Sequence, residues 1–193
     1  MEKSITYFDT PGKQNTDELV SIVARSVRER KISHVVVATT TGSTALKLSD
    51  ALEGVDVNIV AATLMYGFRQ EGKRAMPDES AAELEQRGIT VVAQSHALAG
   101  LERSFTAELG GASRTEMLAA VLKTLFGVGF KVAVEVILMA ADSGAIPVGD
   151  DIEVVCVGGT HGGADVACIV RPAHTDSFFK MQIREILCMP RLK

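Results

Sequence analysis

The sequence contains no tryptophan and only two tyrosines among its 193 residues. Single-stranded nucleic acids are held largely on stacked aromatic rings, so this scarcity argues against such a partner. A block of like charge is also missing. Twenty Lys and Arg stand against 24 Asp and Glu, for a net charge of −4. That balance excludes nucleic acid or an anionic membrane surface as the main partner. Cysteine is scarce: Cys156, Cys168 and Cys188 are odd in number and form no C-x-x-C pair. Each lies in an apolar stretch, as buried thiols do, and a reducing, cytoplasmic setting is expected. No group of histidines, cysteines and acids has zinc spacing, and His34, His96, His161 and His174 are scattered, so no metal site is expected. No apolar run approaches a membrane span, and the polar start Met1-Glu2-Lys3-Ser4 lacks the apolar core of a signal peptide.

What is there is ordinary globular material, 47% apolar and 23% charged, in a length that suits one domain. Short apolar runs alternate with amphipathic ones. Strands are expected at residues 5–8, 34–39, 57–63, 90–94, 153–157, 164–171 and 185–189. Helices are expected at 16–30, 42–53, 78–87 and from Ser113 to about Phe126. Asn15 with Glu18 and Ser113 with Glu116 have the spacing of capping boxes. Residues 131–143 are ambiguous. The valine run favours a strand, but the following MAADSG reads as a helix end, and a helix is expected because a strand follows at once. Residues 178–181 suit one short helical turn. The pattern predicts a three-layer α/β fold: a mostly parallel sheet with helices on both faces. Residues 35–38 and 91–93 are expected at its centre, residues 5–8 within it, and the closely spaced last strands as an antiparallel extension.

The strongest local signal is VVVATTTGSTALKL. A buried strand ends in Thr39, Thr40, Thr41, Gly42, Ser43 and Thr44, where a helix begins. The first N–H groups of a helix have no internal partner and sit at the positive end of its dipole. Five hydroxyl residues and one glycine around such an end suit a phosphate group; a plain helix cap with spare threonines is the alternative. The motif is neither a Walker loop nor a dinucleotide fingerprint.

Other strand ends carry further candidates, because ligands of open parallel sheets sit beyond the carboxyl ends of the strands. One is Ser95-His96, with Arg103 a turn or so later; His96 suits a ligand contact, acid–base work or a structural hydrogen bond. A second is the GGTHGG segment around Gly159, which implies either close backbone approach or a flexible turn. The third is Arg171, whose charge in an apolar strand calls for a ligand anion or a neighbouring carboxylate. The long connection at residues 64–77 suits a flap over the site. For Asp142-Ser143-Gly144, a subunit contact or a loop-anchoring hydrogen bond accounts for the residues better than catalysis does.

Taken together, several segments resemble a stand-alone family related to the C-terminal α/β domain of pyruvate kinase. They are ATTTGSTA, YGFRQEG, QSHALAGLERS, GGASRTE, MAADSGAIP, GADVACIVRPAH and CMPR, and they span nearly the whole chain. In pyruvate kinase the corresponding domain is regulatory in many members, and a Thr/Ser-and-Gly loop holds a phosphate of a sugar-bisphosphate effector. Residues 40–44 match that loop in kind. Kinase activity is not implied, since a (β/α)₈ barrel alone needs about 250 residues. For the stand-alone members the resemblance implies binding of flavin mononucleotide (FMN), its phosphate at residues 40–44 and its ring near Ser95 and His96. Three functions follow as expectations: an FMN-binding protein, as an oxidoreductase or otherwise; a regulatory sensor for a phosphorylated metabolite; or an interaction domain with a vestigial phosphate loop. A homo-oligomer is expected, with residues 143–146 and Phe178-Phe179 as contact candidates.

Overall fold

The structure, a computed structural model, describes residues 3–193. Its strands are β1 (Thr6–Phe8), β2 (His34–Ala38), β3 (Asn58–Thr63), β4 (Thr90–Ala93), β5 (Val154–Gly158), β6 (Val166–Arg171) and β7 (Gln182–Pro190). They form one sheet in the order β1-β7-β6-β5-β2-β3-β4. Every pairing is parallel except the two made by β6, which runs antiparallel to both β5 and β7. The α-helices among the described residues are α1 (Thr16–Arg30), α2 (Ser43–Ala51), α3 (Asp78–Gln86), α4 (Gly100–Leu109), α5 (Arg114–Phe126) and α6 (Val128–Asp142).

Strand alternation divides the interior into two cores. Val35 and Val37 of β2, with Val155 and Val157 of β5, face α1, α2 and α3, where Leu19, Leu48 and Leu84 are fully buried. Val36 and Cys156 face the other way, onto Ile137 and Ala140 of α6. The two-residue period of a strand thus builds the three expected layers. The chain leaves β2 through α2 toward β3 and β4, then returns through α4, α5 and α6 to β5 on the other side of β2. The gap between β2 and β5 is therefore the switch point of the sheet.

Several expectations are corrected. Strand β4 lies at the edge of the sheet, not its centre. Residues 131–143 do belong to a helix: α6 is buried on nearly all sides, from Phe130 to Ala141, and burial between sheet and α5 overrides the strand preference of its valines. Helix α4 was not foreseen; none of its residues is buried, so it leaves no core-facing stripe to detect. At α1 the Asn15 side chain makes no cap; its amide instead donates to the Thr10 carbonyl at 2.8 Å. Strand β7 runs three residues earlier than expected, from Gln182. The Asp142 carboxylate accepts the Thr175 N–H at 3.0 Å and its hydroxyl at 2.6 Å, which is the loop-anchoring alternative. No helix among the described residues is long and apolar enough to cross a membrane.

Candidate functional site

Because β2, β3, β4 and β5 run parallel, Ala38, Thr63, Ala93 and Gly158 all end at one edge of the sheet. A cavity of about 360 Å³ opens there, at the switch point. Three walls define it. The segment from Ala38 to Thr44 forms the first, the pocket-facing side of α6 the second, and His96, Arg103 and Lys123 with Phe68 the third.

The first wall is the start of α2. Gly42 has φ +86°, in the left-handed region that side-chain-bearing residues avoid. Its N–H donates to the Thr39 hydroxyl at 3.0 Å, and its carbonyl receives the Leu46 N–H at 3.0 Å. This turn aims the first helical N–H groups outward. Among the described residues, those of Ser43, Thr44 and Ala45 find no protein acceptor, and no side chain caps the helix. The Thr41 hydroxyl donates to that of Ser43 at 3.2 Å, so both oxygens stand at the mouth of the same turn. An end of this kind attracts anions through its N–H groups and its dipole.

The second wall depends on a close backbone approach. A Cβ on Gly158 would stand 2.7 Å from the Ala133 amide nitrogen and nearer still to the Gly129 carbonyl. Only glycine lets β5 and the first turn of α6 meet in this way. The helix then presents Val128, Lys131, Val132, Glu135, Val136 and Met139 to the cavity. Lys131 and Glu135 are 8% and 5% exposed and form an ion pair of 2.5 Å. The second Glu135 oxygen accepts the Leu98 N–H at 3.1 Å.

On the third wall, the Phe68 ring packs on His96 with centroids 5.3 Å apart. Burial holds the His96 pKa below its usual value; Glu135 opposes this, while Lys131 and Arg103 add to it. His96 is therefore neutral at pH 7 and able to accept a proton or hydrogen bond. The cysteines take no part. All three are buried, and burial pushes the Cys188 thiol up to about 12 and the other two upward as well.

Of the residues anticipated from sequence, Thr39, Thr40, Thr41, Ser43, Thr44, His96, Arg103 and Gly159 line the cavity. Gly42 shapes the turn from behind. Ser95 does not line the cavity. Arg171 is misplaced as a ligand contact: β6 runs antiparallel, so its carboxyl end lies at the opposite edge of the sheet, where Arg171 pairs with Asp150. Lys131, Glu135, Lys123 and Phe68 were missed. The signal for the first two was present, a Lys and a Glu four apart inside an otherwise apolar run. No group of three or more metal-binding side chains occurs among the described residues.

Residues 17–170 match the family model described as pyruvate kinase, alpha/beta domain. The match covers most of the chain and agrees with the mostly parallel, seven-stranded architecture. This chain, with its cavity at the β2–β5 switch point, belongs to the pyruvate kinase α/β domain family.

Proposed function

We propose that the protein binds a phosphorylated small molecule, FMN, with the phosphate at the first turn of α2. One observation carries the reading: the N–H groups of Ser43, Thr44 and Ala45 lack a protein acceptor, and Ser43 and Thr44 line a cavity shared with Thr39, Thr40, Thr41, Thr63 and His96. A phosphate supplies the acceptors that the chain does not. The rest of the cavity suits the remainder of such a ligand. Its size falls in the range of small-molecule sites, and Val132, Val136, Met139, Ala38 and Ala62 provide apolar surface for a ring. Arg103 and Lys123 add positive charge at the rim. Phe68 brings the connection at residues 64–77 to the cavity, which supports a flap that closes over bound ligand.

The test is titration of the purified protein, stripped of ligand, with FMN and with riboflavin. Fluorescence or calorimetry should give riboflavin an affinity at least about 10-fold lower, since each hydrogen bond to a charged group contributes about 1.5–3 kcal/mol. Equal affinities would overturn the phosphate placement.

We also infer a homo-oligomer. Helix α4 buries none of its residues and exposes Leu101, Phe105 and Leu109, at 71%, 54% and 75%. A helix this short is marginal in water without tertiary packing. Phe179 is bare as well, whereas Ile146 lies in the second core and offers no contact surface. Light scattering coupled to sizing should give a mass above that of one chain at micromolar concentration; a monomer refutes this.

A further inference from the structure

The buried pair on α6 is not accounted for by a phosphate. The Lys131 ammonium has three N–H donors and spends one, on Glu135. The Glu135 carboxylate has about four acceptor positions and spends two, on Lys131 and on the Leu98 N–H. Both residues line the cavity, where a ligand could take up the donors and acceptors that remain. Leaving a buried charged pair part-satisfied is costly, and apolar residues of similar volume are often as good for stability or better. The pair therefore has a use other than holding α6 in place.

The surroundings narrow that use. Val132 and Val136 flank the pair on α6, Met139 lies a turn beyond, and Ala38 and Ala62 line the same cavity from the strands. A polyol would set hydroxyls against these methyl groups. A flat ring with apolar faces and a polar edge matches both features at once. The edge must carry an acceptor for the ammonium and, beside it, an N–H for the carboxylate.

We propose that Lys131 and Glu135 read the imide edge of a planar ring, Lys131 donating to a ring carbonyl and Glu135 accepting the adjacent ring N–H. In a flavin this edge is the N3–H between its two carbonyls. The inference rests on the reading above that the ligand's phosphate sits at α2. It makes the pair a specificity determinant: sugar phosphates lack the edge, and a ring blocked at that nitrogen is rejected because the Glu135 oxygen is left unpaired.

The experiment compares FMN with 3-methyl-FMN, which keeps ring and phosphate and replaces the N3–H with a methyl group; the double variant below tells loss of the donor from added bulk. Wild-type protein should bind 3-methyl-FMN about 10-fold or more weakly than FMN, by fluorescence titration. In Glu135→Gln the difference between the two ligands should shrink. The double variant Lys131→Met/Glu135→Leu, which leaves no unpaired charge, should fold, bind FMN more weakly and lose the discrimination. Thermal unfolding of each variant separates a folding defect from a binding one, and the wild-type comparison needs no variant. Equal wild-type affinity for FMN and 3-methyl-FMN, with riboflavin still weak, overturns this inference and leaves the phosphate reading standing. Absence of FMN binding by wild-type protein removes both.

Discussion

Two helix N-termini in this protein meet the same problem in opposite ways. At α5 the Ser113 hydroxyl accepts the Glu116 N–H at 3.1 Å, and the Glu116 carboxylate accepts the Ser113 N–H at 3.3 Å. The Thr106 hydroxyl donates to the same carboxylate, tying α4 to α5. The chain closes this end with its own side chains. At α2 the hydroxyl residues are more numerous, yet none caps the helix: Thr39 is turned back to Gly42, and Thr41 and Ser43 bond to each other. Both ends carry hydroxyl residues, but the outcome depends on a carboxylate three residues in. Glu116 supplies one at α5, and the first turn of α2 has no acid. A helix start rich in hydroxyls and poor in acid leaves its dipole for an external anion. With the phosphate at α2, as proposed above, one end serves stability and the other binding, and substitutions at each should separate the two effects.

The largest effect is expected from Gly42→Val. Its φ of +86° lies where a β-branched side chain is strained by about 1–2 kcal/mol. A shifted turn would also re-aim the N–H groups of Ser43 and Thr44. Loss of two charge-assisted hydrogen bonds corresponds to about 100-fold weaker FMN binding. Calorimetry and thermal unfolding on the same sample measure both quantities, and a folded variant with unaltered affinity would contradict the role given to α2.

Next come Thr41→Ala and Ser43→Ala. Each removes one hydroxyl that the protein uses only for its neighbour. FMN affinity should fall about 10-fold, while stability shifts by less than about 1 kcal/mol. Ser113→Ala should do the reverse. Loss of the cap costs about 1 kcal/mol, or roughly 2–4 °C in Tm for a chain of this size, with FMN affinity unchanged. A variant at either end that moves both properties equally would erase the distinction.

The two ends also differ in how far sequence discloses them. Ser113 and Glu116 announce the box by spacing alone, because every partner lies within four residues. Residues 39–44 announce a hydroxyl-rich, acid-free helix start by composition for the same local reason. The same spacing at Asn15 and Glu18 misleads, since Thr10 offers the Asn15 amide a competing partner. The second wall of the cavity was hidden because its geometry is nonlocal. Lys131 and Glu135 reach the cavity only because Gly129 and Gly158 let a helix and a strand touch through their backbones. For Arg171 the neighbouring carboxylate, Asp150, is the partner, and its place among the ligand contacts fails because strand direction, not strand existence, decides which edge a residue occupies. Likewise β4 reads as a good buried strand, but its place at the edge depends on where the chain turns back.

The smallest and most selective test is the dependence on pH. Hydrogen bonds from Thr106, and then Ser113, hold the Glu116 carboxyl below its ordinary value of 4.5. A carboxylate with a depressed folded-state pKa contributes stability that is fully present above the unfolded value and is lost as pH falls through the folded one. The box therefore acts at full strength at pH 7 and weakens below about pH 4.5. Ser113→Ala removes part of what acid also removes, so the Tm difference from wild type should be constant between pH 7 and 5 and narrow at lower pH. The penalty of Gly42→Val arises from backbone sterics in a turn without an acid. It has nothing to titrate, and its Tm difference should stay level across the same range. Parallel pH series on the two variants, read by circular dichroism, provide the comparison. If the Ser113→Ala difference does not narrow in acid, the Glu116 carboxylate is not what closes α5, and the contrast between the two helix ends loses its chemical basis.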